Sequence, residues 1–297
     1  MKMLSPTFID AWKLAKKILA QSPELGQLGL VDTEAEQLTL EALKPQRINR
    51  VDFFFRLKDT YPLSAYEKLK KWCEARVLGK PLQYLTGTQY FLRHCYQVKS
   101  GVFIPRPETE GLIEEVKKKI ATPQKGLEFG IGSGVLSIEL LSHFKNLTMW
   151  ASEISEQAVE IASMNAAQIL GESRNALKIL KSNAPYQVLE IFPNFLKKKI
   201  DFIISNPPYL IPSDPIAQDV LSHEPFEALF APLEEPLYFY QKIIDQSLQW
   251  LKPGGYLFLE LPHQRASQIV SLCSASRWKV ELISDLSQRE RILVAHW

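Results

Sequence analysis

The chain has 297 residues, 46% of them hydrophobic and 23% charged, enough for two globular domains and not the composition of a disordered chain. Net charge is only +2, split as 16 Lys+Arg against 10 Asp+Glu in residues 1–100 (+6) and 19 against 23 in residues 101–297 (−4). Solvated helix faces account for so slight a bias as well as a mildly basic docking surface does, so charge alone marks no nucleic-acid binder.

No apolar run approaches the ~20 residues of a membrane helix, and the charged, periodic N-terminus is unlike a signal peptide, so a cytoplasmic location is expected. Cys73, Cys95 and Cys273 are scattered, and neither they nor the five histidines have metal-ligand spacing. The thiols read as reduced packing residues and no metal site is expected.

Residues 1–80 read as a small helical bundle. Phe8, Trp12, Ala15 and Leu19 recur at helical spacing, as do Tyr66, Leu69, Cys73 and Val77, and Pro45 and Pro62 punctuate the region. Ser64 with Glu67 has the form of a capping box for the later helix. Residues 81–110 change character: aromatic and β-branched residues rise, Gly87 and Gly101 supply turns, and a β-hairpin linking two domains is expected.

From 111 to 297 strands and helices alternate. KGLEF (125–129), LTMWAS (147–152), ALKIL (176–180), DFIIS (201–205) and GYLFLEL (255–261) are apolar runs of strand length, separated by helical stretches such as 155–170 and 236–251. The alternation predicts an α/β domain with a mostly parallel sheet and helices on both faces. KVELIS (279–284) and RILVAHW (291–297) leave no room for a crossover helix, so they form an antiparallel hairpin at one side of that sheet.

Three motifs carry chemistry. In EFGIGSGVLSIEL, Gly130, Gly132 and Gly134 alternate between a strand and a helix, where the backbone turns tightly and a ligand approaches closely. The last glycine of G-x-G-x-x-G is missing, Leu136 or a neighbour standing in its place, which disfavours a pyrophosphate ligand. Glu153 follows the second strand, about twenty residues on, and an acid there accepts hydrogen bonds from ribose hydroxyls. Together they argue for a nucleoside ligand, NAD-like or S-adenosylmethionine.

The third motif is SNPPYLIP (205–212), at the end of the fourth strand of this domain. Its prolines stop the strand, and Asn206 presents a carboxamide that both donates and accepts, beside the Pro207 carbonyl and the Tyr209 ring. Ligands of open α/β sheets collect outside the carboxyl ends of the strands, so Asn206 faces the crevice of Gly130 and Glu153.

EFGIGSG followed by SNPPY resembles the signature of S-adenosylmethionine-dependent amino methyltransferases acting on planar nitrogens. Within that superfamily IPRPETE (104–110), PLQYLTG (81–87) and the helical N-terminal region resemble the protein-(glutamine-N5) methyltransferases of peptide chain release factors.

The resemblance implies a Rossmann-like class I methyltransferase domain, 111–297, behind a hairpin linker, 81–110, and a helical substrate-recognition domain, 1–80. It implies that Gly130, Ile131, Gly132, Ser133 and Gly134 hold the methionine portion of S-adenosylmethionine, and Glu153 its ribose. Asn183 and Ala184 fall near the adenine, although the family commonly has Asp and a bulkier residue there. Asn206, Pro207, Pro208 and Tyr209 form the catalytic clamp, with Asn206 also beside the cofactor. Arg106, Glu108 and Glu110 are candidates for the substrate entrance, or else a charged helix start. HEPFEAL (223–229) resembles a family loop near the active site.

Two further departures from the family pattern stand out. Glu128 replaces the usual Asp before the glycine loop. In DLSQRER (285–291) Gln288 replaces a Gly, so the turn there is expected to be built differently.

The implied substrate is the glutamine of the release factor GGQ loop, with no stable nucleic-acid or membrane binding. The same clamp suits an exocyclic amine of adenine or guanine, so a base methyltransferase acting on DNA or RNA is the alternative. A nicotinamide-dependent oxidoreductase leaves SNPPY without a role. A catalytically silent binding module is disfavoured by intact Gly130, Glu153 and Asn206.

Overall fold

The computed structural model describes residues 5–46, 48–182, 190–274, 278–285 and 287–297. The chain divides into two compact units, Met1–Gly87 with Ala217–His223, and Thr88–Ile216 with Glu224–Trp297. The hairpin expected within 81–110 therefore falls inside the second unit.

In the first unit, the helices Phe8–Leu19, Val31–Glu41 and Leu63–Val77 share one apolar core. Phe8, Ala15 and Leu19 of the predicted stripe are buried, Trp12 packs at its margin, and Leu69 and Cys73 of the later stripe meet them. Tyr61 brings a hydroxyl into this core and satisfies it by donating to the Thr39 carbonyl at 2.7 Å.

Ser64 and Glu67 form no capping box. Pro62 is the N-cap of that helix, which begins at Leu63, one residue before the predicted cap, and no side chain caps it. Proline sets the backbone for a helix start without lending a side-chain acceptor. A capping box does occur at Thr7 and Asp10, at the head of the first helix. PLQYLT forms a short helix, Leu82–Thr86, stopped by Gly87 at φ +74°.

The second unit opens with the antiparallel pair β1 (Thr88–Phe91) and β2 (His94–Gln97). The sheet then uses β3 (Lys125–Phe129), β4 (Thr148–Glu153), β5 (Leu177–Lys181), β6 (Ile200–Ser205), β7 (Leu251–Glu260), β8 (Lys279–Ser284) and β9 (Glu290–His296). Their order is β5-β4-β3-β6-β7-β9-β8. The first five are parallel; β9 is antiparallel to β8, as the short link between the last two runs requires, and also to β7.

β6 is buried along its whole length because both faces are covered. Phe202 and Ile204 point into one layer with Leu136, Ile138 and Ala162 from the helices Val135–His143 and Glu156–Leu170. Ile203, between them, points to the other with Ile243 and Ile269 from Tyr238–Trp250 and Ala266–Ser274. This two-residue alternation holds the strand in register, since a one-residue slip would exchange the two sets. No helix among the described residues is long and apolar enough to cross a membrane.

Candidate active site

The parallel register brings the motifs to one edge. Ser152 of β4 pairs with Phe129 of β3, Phe129 with Ser205 of β6, and Ser205 with Leu259 of β7. One residue further along, at the carboxyl ends of four neighbouring strands about 4.8 Å apart, stand Glu153, Gly130, Asn206 and Glu260. The strand order reverses direction between β3 and β6, the topological switch point at which open α/β sheets bind ligands.

Around the glycines, the backbone donors are spent internally. The N–H groups of Gly130 and Ile131 both donate to the Ser152 carbonyl at 3.0 Å, and that of Gly134 to the Ile131 carbonyl at 2.8 Å. Gly132 donates to the Glu153 carboxylate at 2.9 Å, and the same carboxylate accepts from Ile154 and Ser155. A phosphate would find few donors and a fixed negative charge here, whereas a ribose hydroxyl can still donate to the remaining carboxylate lone pair. A Cβ built at Gly130 or Gly132 meets nothing within 4 Å, so the loop borders open space. Open backbone beside a strand-end carboxylate fits S-adenosylmethionine better than a dinucleotide.

Glu128 holds the loop from below. Its buried carboxyl accepts from the Ser137 N–H at 3.1 Å and from the Ser137 hydroxyl, capping the helix that follows the loop. Burial pushes it up to about 8 against the opposing pull of those bonds. Asn165, fully buried, donates to the Ser133 carbonyl and exchanges hydrogen bonds with the Gln97 backbone, fastening the loop to β2.

The clamp is held with comparable firmness. The Ser205 hydroxyl donates to the Phe129 carbonyl at 2.7 Å, and the half-buried Asn206 turns its Nδ2 toward the Thr109 hydroxyl at 3.4 Å. Pro207 is buried, and Tyr209 packs against the layer that holds Phe239 and Tyr240. Burial, reinforced by the Glu260 charge, pushes the Tyr209 phenol up to about 12, which leaves it neutral at physiological pH. Beyond the clamp, Leu210 pairs with Phe230 and Asp214 with Arg265.

Of the entrance candidates, Arg106 pairs with the buried Glu224, whose other oxygen accepts from the Ile104 N–H. Glu110 accepts from the Leu92 N–H in the β1–β2 turn, and only Glu108 is exposed with no such tie among the described residues. Asn183 and Ala184 lie outside the described residues. Gln288 adopts φ +59°, the left-handed conformation that glycine favours, so the turn keeps that backbone and is stabilised by Asp285, which accepts from Ser287 and Arg289.

Thr109, Asn165, Ser205, Glu224 and Glu260 were not singled out from the sequence. Glu260 carried a readable signal, a carboxylate closing an apolar run at the level of Asn206. Asn165 carried none, because its partners come from elements distant along the chain.

A parallel sheet closed by an antiparallel hairpin, with a glycine loop, a strand-end acid and an Asn-Pro-Pro-Tyr turn along one edge, defines a class I methyltransferase. The methyltransferase small domain family model matches residues 107–223. Among solved structures, the hMettl16 catalytic domain in complex with a 3'UTR hairpin superposes with a TM-score of 0.51 at 16% identity, covering 77% of this chain and 81% of that one, a likeness of fold.

Curated relatives include the release factor glutamine methyltransferases of Leptospira interrogans (34% identical, 88% of this chain and 89% of that one) and Aquifex aeolicus (30%, 79% and 81%). That of Bacteroides thetaiotaomicron is 30% identical over 73% of this chain and 76% of its own. The chain belongs to the release factor glutamine methyltransferase family.

Proposed function

We propose that this protein transfers a methyl group from S-adenosylmethionine to the side-chain amide nitrogen, N5, of the glutamine in the GGQ loop of peptide chain release factors. The observation that carries the reading is the placement of Asn206 beside Gly130, at the ends of adjacent parallel strands. Family membership supplies the substrate class.

An amide nitrogen is a poor nucleophile because its lone pair is delocalised into the carbonyl, so the chain's task is positioning. The Asn206 oxygen and the Pro207 carbonyl accept the two amide hydrogens, which draws the nitrogen toward a pyramidal form and aims it. Tyr209 packs against the amide plane as a neutral phenol and is not a general base; once the N–C bond has formed, the cationic nitrogen loses one of its hydrogens to solvent. Orientation of this kind is worth up to ~7–11 kcal/mol in well-aligned systems. The bound cofactor supplies the activated sulfonium methyl. When it is bound, Gly130, Ile131, Gly132, Ser133 and Gly134 would hold its methionine portion, and Glu153 would accept from its ribose.

The helical unit serves as the substrate-recognition domain, residues 81–110 as the link, and 111–297 as the methyltransferase domain, acting in the cytoplasm without stable nucleic-acid binding. Val51, Phe54 and Phe55, exposed together on the helix Arg50–Phe55, support a docking role for the helical unit. Deleting residues 1–80 is expected to weaken discrimination among protein substrates.

The deciding experiment is transfer of labelled methyl from S-adenosylmethionine to a purified release factor, beside its GGQ Gln→Ala variant, duplex DNA and ribosomal RNA. Label on the wild-type factor alone is expected. Label on nucleic acid would move the protein to base methylation.

A further inference from the structure

Glu224 stands where the chain returns from one unit to the other. Beyond the clamp the chain passes into the first unit at Ala217, supplies the helix Gln218–His223, and re-enters the second unit at Glu224. Within the first unit a Cβ built at Gly79 meets His223 Cε1 at 3.7 Å and Asp219 Cβ at 3.8 Å, so that helix packs beside the turn that follows Leu63–Val77. We propose that Glu224 is the positioning residue through which a protein docked on the helical unit tightens the Asn206 clamp, so that methyl transfer is fast on a folded protein and slow on a short peptide. The inference rests on the functional reading given above.

The contacts of Glu224 close a ring around the clamp. Its side chain is 1% exposed; one carboxylate oxygen pairs with Arg106 and the other accepts from the Ile104 N–H at 3.2 Å. The Arg106 guanidinium also lies over the Phe103 ring, 5.1 Å from its centroid. From Arg106 the chain runs to Thr109, whose hydroxyl is 3.4 Å from Asn206 Nδ2. In the other direction it runs from Glu224 to Leu229, whose carbonyl accepts from the Leu210 N–H at 3.0 Å, and to Ala231, whose N–H donates to the Leu210 carbonyl at 2.9 Å. Asn206 and Leu210 are thus held from two sides by arms that Glu224 joins.

Glu224 follows His223 directly, so whatever restrains the helix restrains the junction of the two arms. The outgoing end is anchored as well: Asp214 pairs with Arg265 at 2.6 Å and accepts from the Ile211 N–H at 2.9 Å. A buried carboxylate keeps its place only while its cation stays on it, because a buried charge without a partner is strongly destabilising. The junction therefore holds its geometry or opens, with little between. A large substrate that engages the helical unit fixes the helix, and part of its remote binding energy appears at the clamp as a higher kcat. A short peptide reaches the clamp without that help.

The test is methyl transfer by the full-length enzyme to a purified release factor and to a short synthetic peptide carrying the same GGQ loop, for wild type, E224Q, R106Q and the double variant. Wild-type kcat is expected to be at least about a hundredfold higher on the protein than on the peptide. E224Q should lower that ratio by about tenfold or more and leave cofactor Kd within about twofold. R106Q strands the buried carboxylate and should be the poorer single variant, and the double variant should recover part of its loss. Equal losses on protein and peptide, the mark of a merely structural ion pair, would overturn the proposal, as would an undiminished rate on the protein in E224Q.

Hydrogen exchange reads the ring without turnover. In E224Q the Leu210 and Ala231 amides should exchange about tenfold faster while those of Leu63–Val77 keep their protection. Binding of the GGQ Gln→Ala release factor should slow exchange at Leu210 and Ala231 in wild type and not in E224Q. Unchanged protection at both amides in E224Q would mean that Glu224 joins no ring, and equal slowing in the two enzymes would mean that it transmits nothing. If the wild type labels no release factor the functional reading falls, whereas exchange at Leu210 and Ala231 in E224Q still decides whether Glu224 joins the two arms.

Discussion

The Ser205 hydroxyl donates to the Phe129 carbonyl at 2.7 Å, tying the last residues of two adjacent parallel strands immediately before one releases the glycine loop and the other the Asn-Pro-Pro-Tyr turn. Removing it in Ser205→Ala leaves the carbonyl short of a partner in a dry site. A stability loss of about 1–2 kcal/mol is expected. Because the bond sets the spacing of the two motifs, kcat should fall at least tenfold at a temperature where the variant is folded. Urea unfolding beside steady-state kinetics checks both, and an unchanged kcat would remove this bond from the positioning scheme.

Glu128 makes stability depend on pH. Its carboxyl goes from an ordinary value of 4.5 in the unfolded chain to about 8 when buried, so the folded state holds an extra proton between those values. Its stabilising contribution is therefore complete below 4.5 and is lost as pH rises through 8. Glu128→Gln removes the titration and keeps an acceptor for the Ser137 N–H. The stability of this variant relative to wild type should rise with pH from 5 to 8, by on the order of 1 kcal/mol per pH unit. Thermal melts at pH 5.5 and 8 measure the gap, and a gap that does not change with pH contradicts the assignment.

Two glycines of the loop should fail differently on conversion to alanine. A Cβ at Gly132 enters open space at φ +54°, so Gly132→Ala should cost only about 1–2 kcal/mol of stability while intruding on the cofactor. At Gly134, φ +91°, the Cβ meets Ile138 Cδ1 at 2.7 Å and the Ala162 backbone at 3.4 Å. Gly134→Ala should therefore lose more stability than Gly132→Ala. Calorimetric titration with S-adenosylmethionine alongside denaturation tells them apart, and equal losses in both assays would refute the distinction.

Asn206→Ala deletes the acceptor and leaves the glycine loop and Glu153 in place. Methyl transfer should drop by three orders of magnitude or more, with cofactor Kd changed less than about fivefold. Near-normal turnover in this variant would sink the clamp mechanism.

Gln288 occupies a left-handed turn position at φ +59°. Gln288→Gly relieves that strain but gives the unfolded chain more freedom, leaving a net gain of about 0.5–1 kcal/mol. A destabilised variant would mean that the Gln288 side chain contributes more than the strain costs.

What was legible in the sequence was whatever depends on residues close together along the chain. The strand runs beginning near 125, 148, 177, 201 and 279 were visible because buried parallel strands are short, apolar and bounded by breakers. Alternation with helices implied the parallel sheet, and the strand-end rule placed Gly130, Glu153 and Asn206 along one edge. The capping box at Ser64 failed because local pattern cannot tell a cap from a first-turn serine when Pro62 already sets the helix start.

Tertiary structure alone decided which groups support that edge. Thr109 and Asn206 lie far apart along the chain, as do Asn165 and Gln97, and none of these side chains has a local pattern that announces its partner. The register of β6 against β3 and β7 brings Ser205, Phe129 and Leu259 into one row, and register is a property of the packed sheet. The sequence by itself determined the chemistry available, an amide clamp, a glycine loop and a strand-end acid. Only the fold decided which way the clamp faces and which buried charges surround it, because hydrogen bonding and desolvation act between neighbours in space.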